Sequence, residues 1–169
     1  MYSPTSVCYS HNFPIILGQS VDLDYSGKKL HVNLLQNPSH LEAITPVTLG
    51  KVRAKQDHVS DRAGDKTVAV LFHGDASFYG QGTIAESLIL SKLPEFKTGG
   101  SVHIIVNNQL GFTTAPTLAR SSRYSADVGK MIDVPVIHVN ADHPEVNLFG
   151  KIFINVFFVG SSKSCKSCC

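Results

Sequence analysis

Three short apolar runs in this chain each end in residues able to do chemistry. Thr67 to Phe72 runs into His73-Gly74-Asp75-Ala76-Ser77-Phe78-Tyr79-Gly80-Gln81-Gly82. Val102 to Val106 runs into Asn107-Asn108-Gln109-Leu110-Gly111, and Val134 to Val139, with His138 inside it, runs into Asn140-Ala141-Asp142. A carboxylate, two amides and several glycines would meet if the three run ends lie along one edge, and no basic residue stands among them. A diphosphate held there needs a metal to balance its charge. Mg²⁺ prefers oxygen, taking one or two protein oxygens with phosphate oxygens and water. Asp75, an Asn amide oxygen and a backbone carbonyl are suitable ligands. Gly74 lets the backbone approach phosphates closely, and the helix start after Gly82 offers free N–H groups and its dipole. A second phosphate reading is open. Gly80-Gln81-Gly82-Thr83-Ile84-Ala85 fits the dinucleotide pattern G-x-G-x-x-A. That pattern wants its first glycine directly after the strand and an acidic residue ending the next strand. Here other residues intervene, and Asn107-Asn108 holds the acidic place.

The elements that must position these residues follow from the same runs. Continuous β-branched runs of this length predict strands covered on both faces, as in a parallel sheet. Gly82 to Leu93 predicts a crossover helix stopped at Pro94, and Ser125 to Ile132 a shorter one. Ser39 to Lys55 predicts another helix, kinked or started late by Pro46. Strand and helix in alternation predict an α/β, doubly wound, mostly parallel sheet, in which ligands bind at the carboxyl ends of the strands. Residues 1–28 read as an irregular amino-terminal segment, 29–146 as the α/β unit, and 147–169 as a tail of different character, with no internal repeat.

Composition narrows the classes. Of 169 residues 43% are hydrophobic, too many for a disordered chain. A formal net charge of +2 gives no phosphate-neutralising surface for nucleic acid. No apolar stretch approaches the roughly 20 residues of a membrane helix. Cys8, Cys165, Cys168 and Cys169 do not form a disulfide framework, and the cysteine-free interior reads as reduced. Met1 to Phe13 lacks the basic residues of a transit peptide and the apolar core of a secretory signal. His103 and His138, inside apolar runs, read as core histidines, and Lys51, Arg53 and Lys55 as a solvated helix face.

Gly-Asp followed some thirty residues later by Asn-Asn resembles the thiamine diphosphate motif of transketolases and 2-oxo acid dehydrogenases. The words Asn37-Pro-Ser-His40-Leu-Glu42-Ala, His73 to Gly82, Val106-Asn-Asn-Gln-Leu-Gly-Phe-Thr-Thr114, Arg120-Ser-Ser-Arg-Tyr124 and His138-Val-Asn-Ala-Asp-His-Pro-Glu145 resemble the E1 component of 2-oxoglutarate dehydrogenase. His31-Val-Asn-Leu-Leu-Gln-Asn-Pro leans toward the relative acting on 2-oxoadipate. The resemblance spans about residues 20–146. It implies a thiamine diphosphate-binding, transketolase-like fold, here incomplete, with thiamine diphosphate and Mg²⁺ as cofactors. Asp75, the Asn108 side chain and the Leu110 carbonyl would ligate the metal. His73, Gly74, Asp75, Ala76, Asn108 and Gln109 would line the cofactor site, and His40 would be catalytic, near the 2-oxo acid. The implied reaction is oxidative decarboxylation of 2-oxoglutarate or 2-oxoadipate. The acyl group then passes to a lipoyl-bearing E2 component. The resemblance also implies an E1 homodimer and a mitochondrial location. The family's chains are several times longer and carry an activating Glu in a second, pyrimidine-binding domain, which nothing here matches. The expectation is a truncated chain inactive alone, with residues 147–169 foreign to the family. The alternative is a non-catalytic fragment that docks with full-length E1.

Overall fold

A computed structural model describes residues 5–10, 18–139 and 153–160. Seven strands form one sheet: β1 (Thr5–Ser10), β2 (Gln19–Tyr25), β3 (Lys28–Leu34), β4 (Thr67–Gly74), β5 (Gly100–Asn107), β6 (Val136–Val139) and β7 (Phe153–Gly160), in the order β2-β3-β1-β4-β5-β7-β6. The pairs β3-β1, β1-β4 and β4-β5 are parallel. The pairs β2-β3, β5-β7 and β7-β6 are antiparallel. The expectation of a mostly parallel sheet therefore holds for the centre, β3-β1-β4-β5, inside a mixed sheet.

Two stretches read otherwise in the sequence contribute strands. Residues 1–28, expected to be irregular, supply β1 and β2. The latter closes a hairpin onto β3 through Ser26 and Gly27, both in the left-handed region. From 147–169 comes β7, lying between β5 and β6. Residues 140–152, with Asn140, Asp142 and Glu145, and the cysteines at 165–169 lie outside the described residues.

Helix α1 (Ile44–His58) buries Ile44, Thr48, Val52 and Gln56, one residue per turn along a single stripe. Pro46 sits in its first turn, where its missing N–H removes no intrahelical bond, so the helix starts late rather than kinking. The six-residue α2 (Asp75–Gly80) follows β4 directly. The crossover helix α3 (Gly82–Leu90) ends one turn sooner than Pro94 alone predicts. Ser125–Ile132, expected as an α-helix, is a 3₁₀ segment.

Burial alternates along β4 and β5, so one face of the sheet centre is sealed and the other half-buried. The expectation of cover on both faces is corrected here: Val68, Val70, Val102, Ile104 and Val106 lie on the half-buried face. On the sealed face, Val52, Ala69 and Leu71 pack together. Phe78, Ile84, Leu88, Ile105, Ala126 and Ile132 form a second cluster.

The amino ends of β4 and β5 are tied together. Gln56 of α1, buried, donates to Thr67 O at 3.2 Å and to Thr98 O at 2.7 Å. Gly64 and Gly99 touch backbone to backbone with φ of +76° and +80°; a Cβ on Gly99 would fall 2.9 Å from Gly64 Cα. Gly99→Ala combines a left-handed penalty with a clash neither backbone can relieve, so it is expected to cost about 3 kcal/mol in urea unfolding. A loss below 1 kcal/mol would show that the contact yields.

Candidate active site

The site lies at the opposite, carboxyl end of β4 and β5. There β4 hands over to α2 at Gly74-Asp75, and β5 to the loop that starts at Asn108. The strands run in register up to Gly74↔Val106, which sets Asp75 and Asn107 side by side. Asn108 Oδ1 accepts the Leu110 N–H at 3.0 Å, turning the chain. Gln109 and Phe112 take left-handed backbone angles. Gly111 lies against Ala76, with room for a Cβ only at contact distance, 3.5 Å. Asp75, Ala76, Asn108, Gln109 and Leu110 are thus drawn to one edge. Leu110 and the side chains of Asn108 and Gln109 are exposed there, while Asp75 is 3% exposed.

Asp75 is an uneasy carboxylate. Its Oδ1 is buried with no hydrogen-bond partner, and its Oδ2 lies 3.8 Å from Arg120 Nη1, too long for a hydrogen bond. Burial pushes its pKa up. The neighbouring backbone N–H groups of Asp75, Ala76 and Gln109, and the Arg120 charge, oppose that shift without cancelling it. Asn107 Oδ1 is a second buried oxygen without a partner. Oxygens left unsatisfied at one sheet edge suit a hard divalent cation. Among the described residues no three His, Cys, Asp or Glu converge as a metal cage. A cation here would draw on one carboxylate, on amide and carbonyl oxygens, and on its ligand's oxygens, as Mg²⁺ commonly does.

The sequence reading placed no basic residue at this edge. The structure corrects that: Arg120, reached far along the chain, brings its guanidinium to Asp75 and lies 5.4 Å from the centre of the Tyr79 ring.

His73 points to the sealed side of the sheet, away from the loop, and both its ring nitrogens are engaged. Nδ1 is 2.8 Å from Glu42 Oε2, and Nε2 is 3.0 Å from His103 Nδ1, whose ring stacks on it at 5.1 Å. His103 Nε2 in turn meets Ser101 Oγ at 3.0 Å. Glu42, fully buried, also accepts the Ser77 hydroxyl at 2.8 Å and the Thr45 hydroxyl at 3.0 Å. It adopts φ +62° in the loop between β3 and α1. Sequence reasoning passed over Glu42; its only signal was its place in the word Asn37-Pro-Ser-His40-Leu-Glu42. His40, two residues earlier, is exposed, and its ring makes no hydrogen bond or ion pair among the described residues. His103 is the core histidine expected. His138 is not: it is exposed on the short strand β6, with its ring 4.8 Å from Tyr124.

Burial, and secondarily the charge of His73, hold His103 well below the ordinary histidine range. For Glu42, burial pushes upward, but the hydrogen bond and charge of His73 and the Ser77 and Thr45 hydroxyls leave it below its ordinary value. Both groups take up protons more readily unfolded than folded, so their stability is complete at neutral pH and lost on acidification. It falls first below the unfolded histidine value near 6.5, then below that of Glu42. The unfolding free energy from urea titrations between pH 8 and 5 is expected to fall with a slope approaching about 1.4 kcal/mol per pH unit below 6.5. In His103→Phe the histidine part of that slope disappears. An unchanged slope in the variant would refute the assignment.

Comparison with known proteins bears on most of the chain. A family model for the dehydrogenase E1 component matches residues 8–147. The chain is 56% identical over 130 residues to "2-oxoglutarate dehydrogenase, mitochondrial" of Dictyostelium discoideum, a match covering 76% of this chain and 13% of that protein. It is 54% identical over 139 residues to "2-oxoadipate dehydrogenase complex component E1" of Xenopus laevis, covering 76% and 15%. Against the "2-oxoglutarate dehydrogenase E1 component" of Brucella anthropi it is 46% identical over 157 residues, covering 88% and 16%. The chain thus spans about one seventh of the length of these relatives. A match that starts within β1, takes in every word quoted above and reaches residue 147 makes this chain a member of the dehydrogenase E1 component family.

Proposed function

We propose that these residues supply the metal and diphosphate side of a thiamine diphosphate site in an E1-type 2-oxo acid dehydrogenase. The observation that carries the reading is the buried Oδ1 of Asp75, without a partner at the carboxyl edge of the sheet. Asp75, the Asn108 side chain and the Leu110 carbonyl would hold Mg²⁺. Gly74, Ala76 and Gln109 would line the diphosphate, Gln109 through the N–H that already faces Asp75. The bound cofactor supplies an electron sink for the carbon that loses carbon dioxide. His40, exposed at the mouth of the loop before α1, would hydrogen-bond the 2-oxo acid or move a proton to it. His73 would act from behind, holding the β4 end through Glu42.

The substrate is a 2-oxo acid of the 2-oxoglutarate or 2-oxoadipate type, after the names of the relatives. The acyl acceptor is a lipoyl-bearing E2 component, and the working unit is an E1 homodimer in mitochondria. The sheet is read as the incomplete, doubly wound thiamine diphosphate fold, with residues 29–146 as its body. The groups that grip the rest of the cofactor come from outside these residues, so the chain by itself is proposed to be inactive. The half-buried face of β4 and β5 also favours a second reading, a non-catalytic fragment that docks with full-length E1.

Calorimetric titration with thiamine diphosphate, with and without Mg²⁺, tests the first reading. Binding that needs Mg²⁺ and is lost in Asp75→Asn supports it. Binding of equal strength in the variant overturns it.

A further inference from the structure

Beside Asp75 lies a cleft of about 490 Å³, lined by Tyr79, Arg120, Ser121, Ser122, Ser125 and Asp127 among others. Arg120 joins the two. Its side chain is 16% exposed, and its five N–H donors are poorly used. Nη1 faces Asp75 at 3.8 Å, Nη2 reaches Arg123 O at 3.4 Å, and Nε is buried with no hydrogen-bond partner. The other charge in the cleft is already occupied. Asp127 Oδ1 is 2.8 Å from Lys130 Nζ, and its Oδ2 accepts the Tyr124 N–H at 3.1 Å. One loose ion pair therefore carries an orphaned buried acceptor, Asp75 Oδ1, and an orphaned buried donor, Arg120 Nε. Buried groups left so are costly unless a ligand completes them.

We propose that Arg120 is an anion-binding residue of this cleft, donating to an oxyanion that also touches the divalent cation on Asp75. The inference rests on the metal reading of Asp75 given above. Without ligand, the guanidinium stands in as the countercharge of Asp75. A divalent cation arriving there repels it, and the anion that accompanies the cation satisfies it. The oxyanion is a phosphoryl group or the carboxylate of a 2-oxo acid, since a planar guanidinium serves either. Ser121 lines the same cleft, and the Ser122 hydroxyl beside it already donates to Tyr124 O at 2.9 Å.

The test uses this chain and Arg120→Gln, with circular dichroism to confirm equal folding. Titrants are Mn²⁺ alone, inorganic pyrophosphate alone, preformed Mn²⁺–pyrophosphate, and 2-oxoglutarate. Removing a cation next to the metal position is expected to tighten Mn²⁺ alone by about tenfold. The same substitution is expected to weaken Mn²⁺–pyrophosphate by about tenfold or more. Changes of opposite sign cannot come from general damage to the fold. Arg120-dependent binding of 2-oxoglutarate in place of pyrophosphate would support the site and name the carboxylate as its anion. If pyrophosphate alone binds through Arg120 while Mn²⁺ does not bind, the anion site stands and the metal reading of Asp75 falls. Equal binding of every anion by both proteins, no anion binding, or equal weakening of Mn²⁺ and its complex overturns the proposal.

Discussion

Glu42→Ala is expected to destabilise the chain by about 3–5 kcal/mol, the largest single loss outside the apolar core. The wild-type carboxylate is fully buried and accepts three hydrogen bonds, from Thr45, Ser77 and the His73 ring. Alanine takes the acceptor from the Thr45 hydroxyl and the His73 ring, leaves the Ser77 hydroxyl only Gly74 O at 2.9 Å, and adds a cavity. The damage extends to the site. Glu42 links the loop that carries His40 to the Ser77 turn of α2, which begins at Asp75. Glu42→Gln keeps the volume and one acceptor oxygen, so its loss is expected to be roughly half as large. Urea unfolding at neutral pH measures both. A loss under 1 kcal/mol for alanine would mean that the histidine pair, not the carboxylate, organises this corner.

Asp75→Asn is expected to act in the other direction on the ligand-free chain, raising stability by about 1–2 kcal/mol, or roughly 3–6 °C in melting temperature. Burial raises the Asp75 pKa, so keeping it ionised opposes folding at every pH above its folded value. That cost begins to shrink as pH falls through that value and is gone only below the ordinary carboxylate value, where both states are protonated. An amide of the same shape removes it throughout. The gain has a counterpart in binding. A carboxylate in contact with a divalent cation contributes about a hundredfold or more to its affinity even at the dielectric of water. The melting temperature of the parent should therefore rise with Mn²⁺ concentration, and that of the variant should stay flat. A variant that is less stable without metal would show that Asp75 serves the fold, and the site reading would fall with it.

How much of this was legible in the sequence depends on the range of the interaction. Strands β4 and β5 and helix α3 announced themselves through unbroken apolar runs and the breakers around them. Asp75 and Asn108 were found because chemistry at strand ends leaves a local pattern. The hairpin strand β2 was overlooked although Val21, Leu23 and Tyr25 alternate with Ser20, Asp22 and Asp24. All of them are exposed, so no burial pressure had made the pattern stand out from a loop. The 3₁₀ segment Ser125–Ile132 has a helical spacing that does not distinguish the two helix types over eight residues. Arg120 and Glu42 escaped for a different reason. Their partners lie far along the chain, 31 residues away for the Glu42–His73 pair, and nothing in a residue's neighbours records a contact of that length. The same holds for the position of β7, whose register with β5 is fixed by pairing, not by its own sequence.

The Gly64–Gly99 contact and the Gln56 bridge sit at the end of the sheet away from Asp75. Their consequence is a gradient of local opening along β4 and β5. At the glycine end, backbone meets backbone, and a buried amide pins the two strand starts, so those N–H groups open only when the whole sheet does. At the other end, unsatisfied oxygens and an exposed loop make partial opening cheap. Amide exchange should therefore slow from Gly74 toward Thr67 within a single strand. Among the described residues, proteases would cut first in the 108–118 loop, and a cation bound at Asp75 would shift that cut site's protection while leaving the far end unchanged.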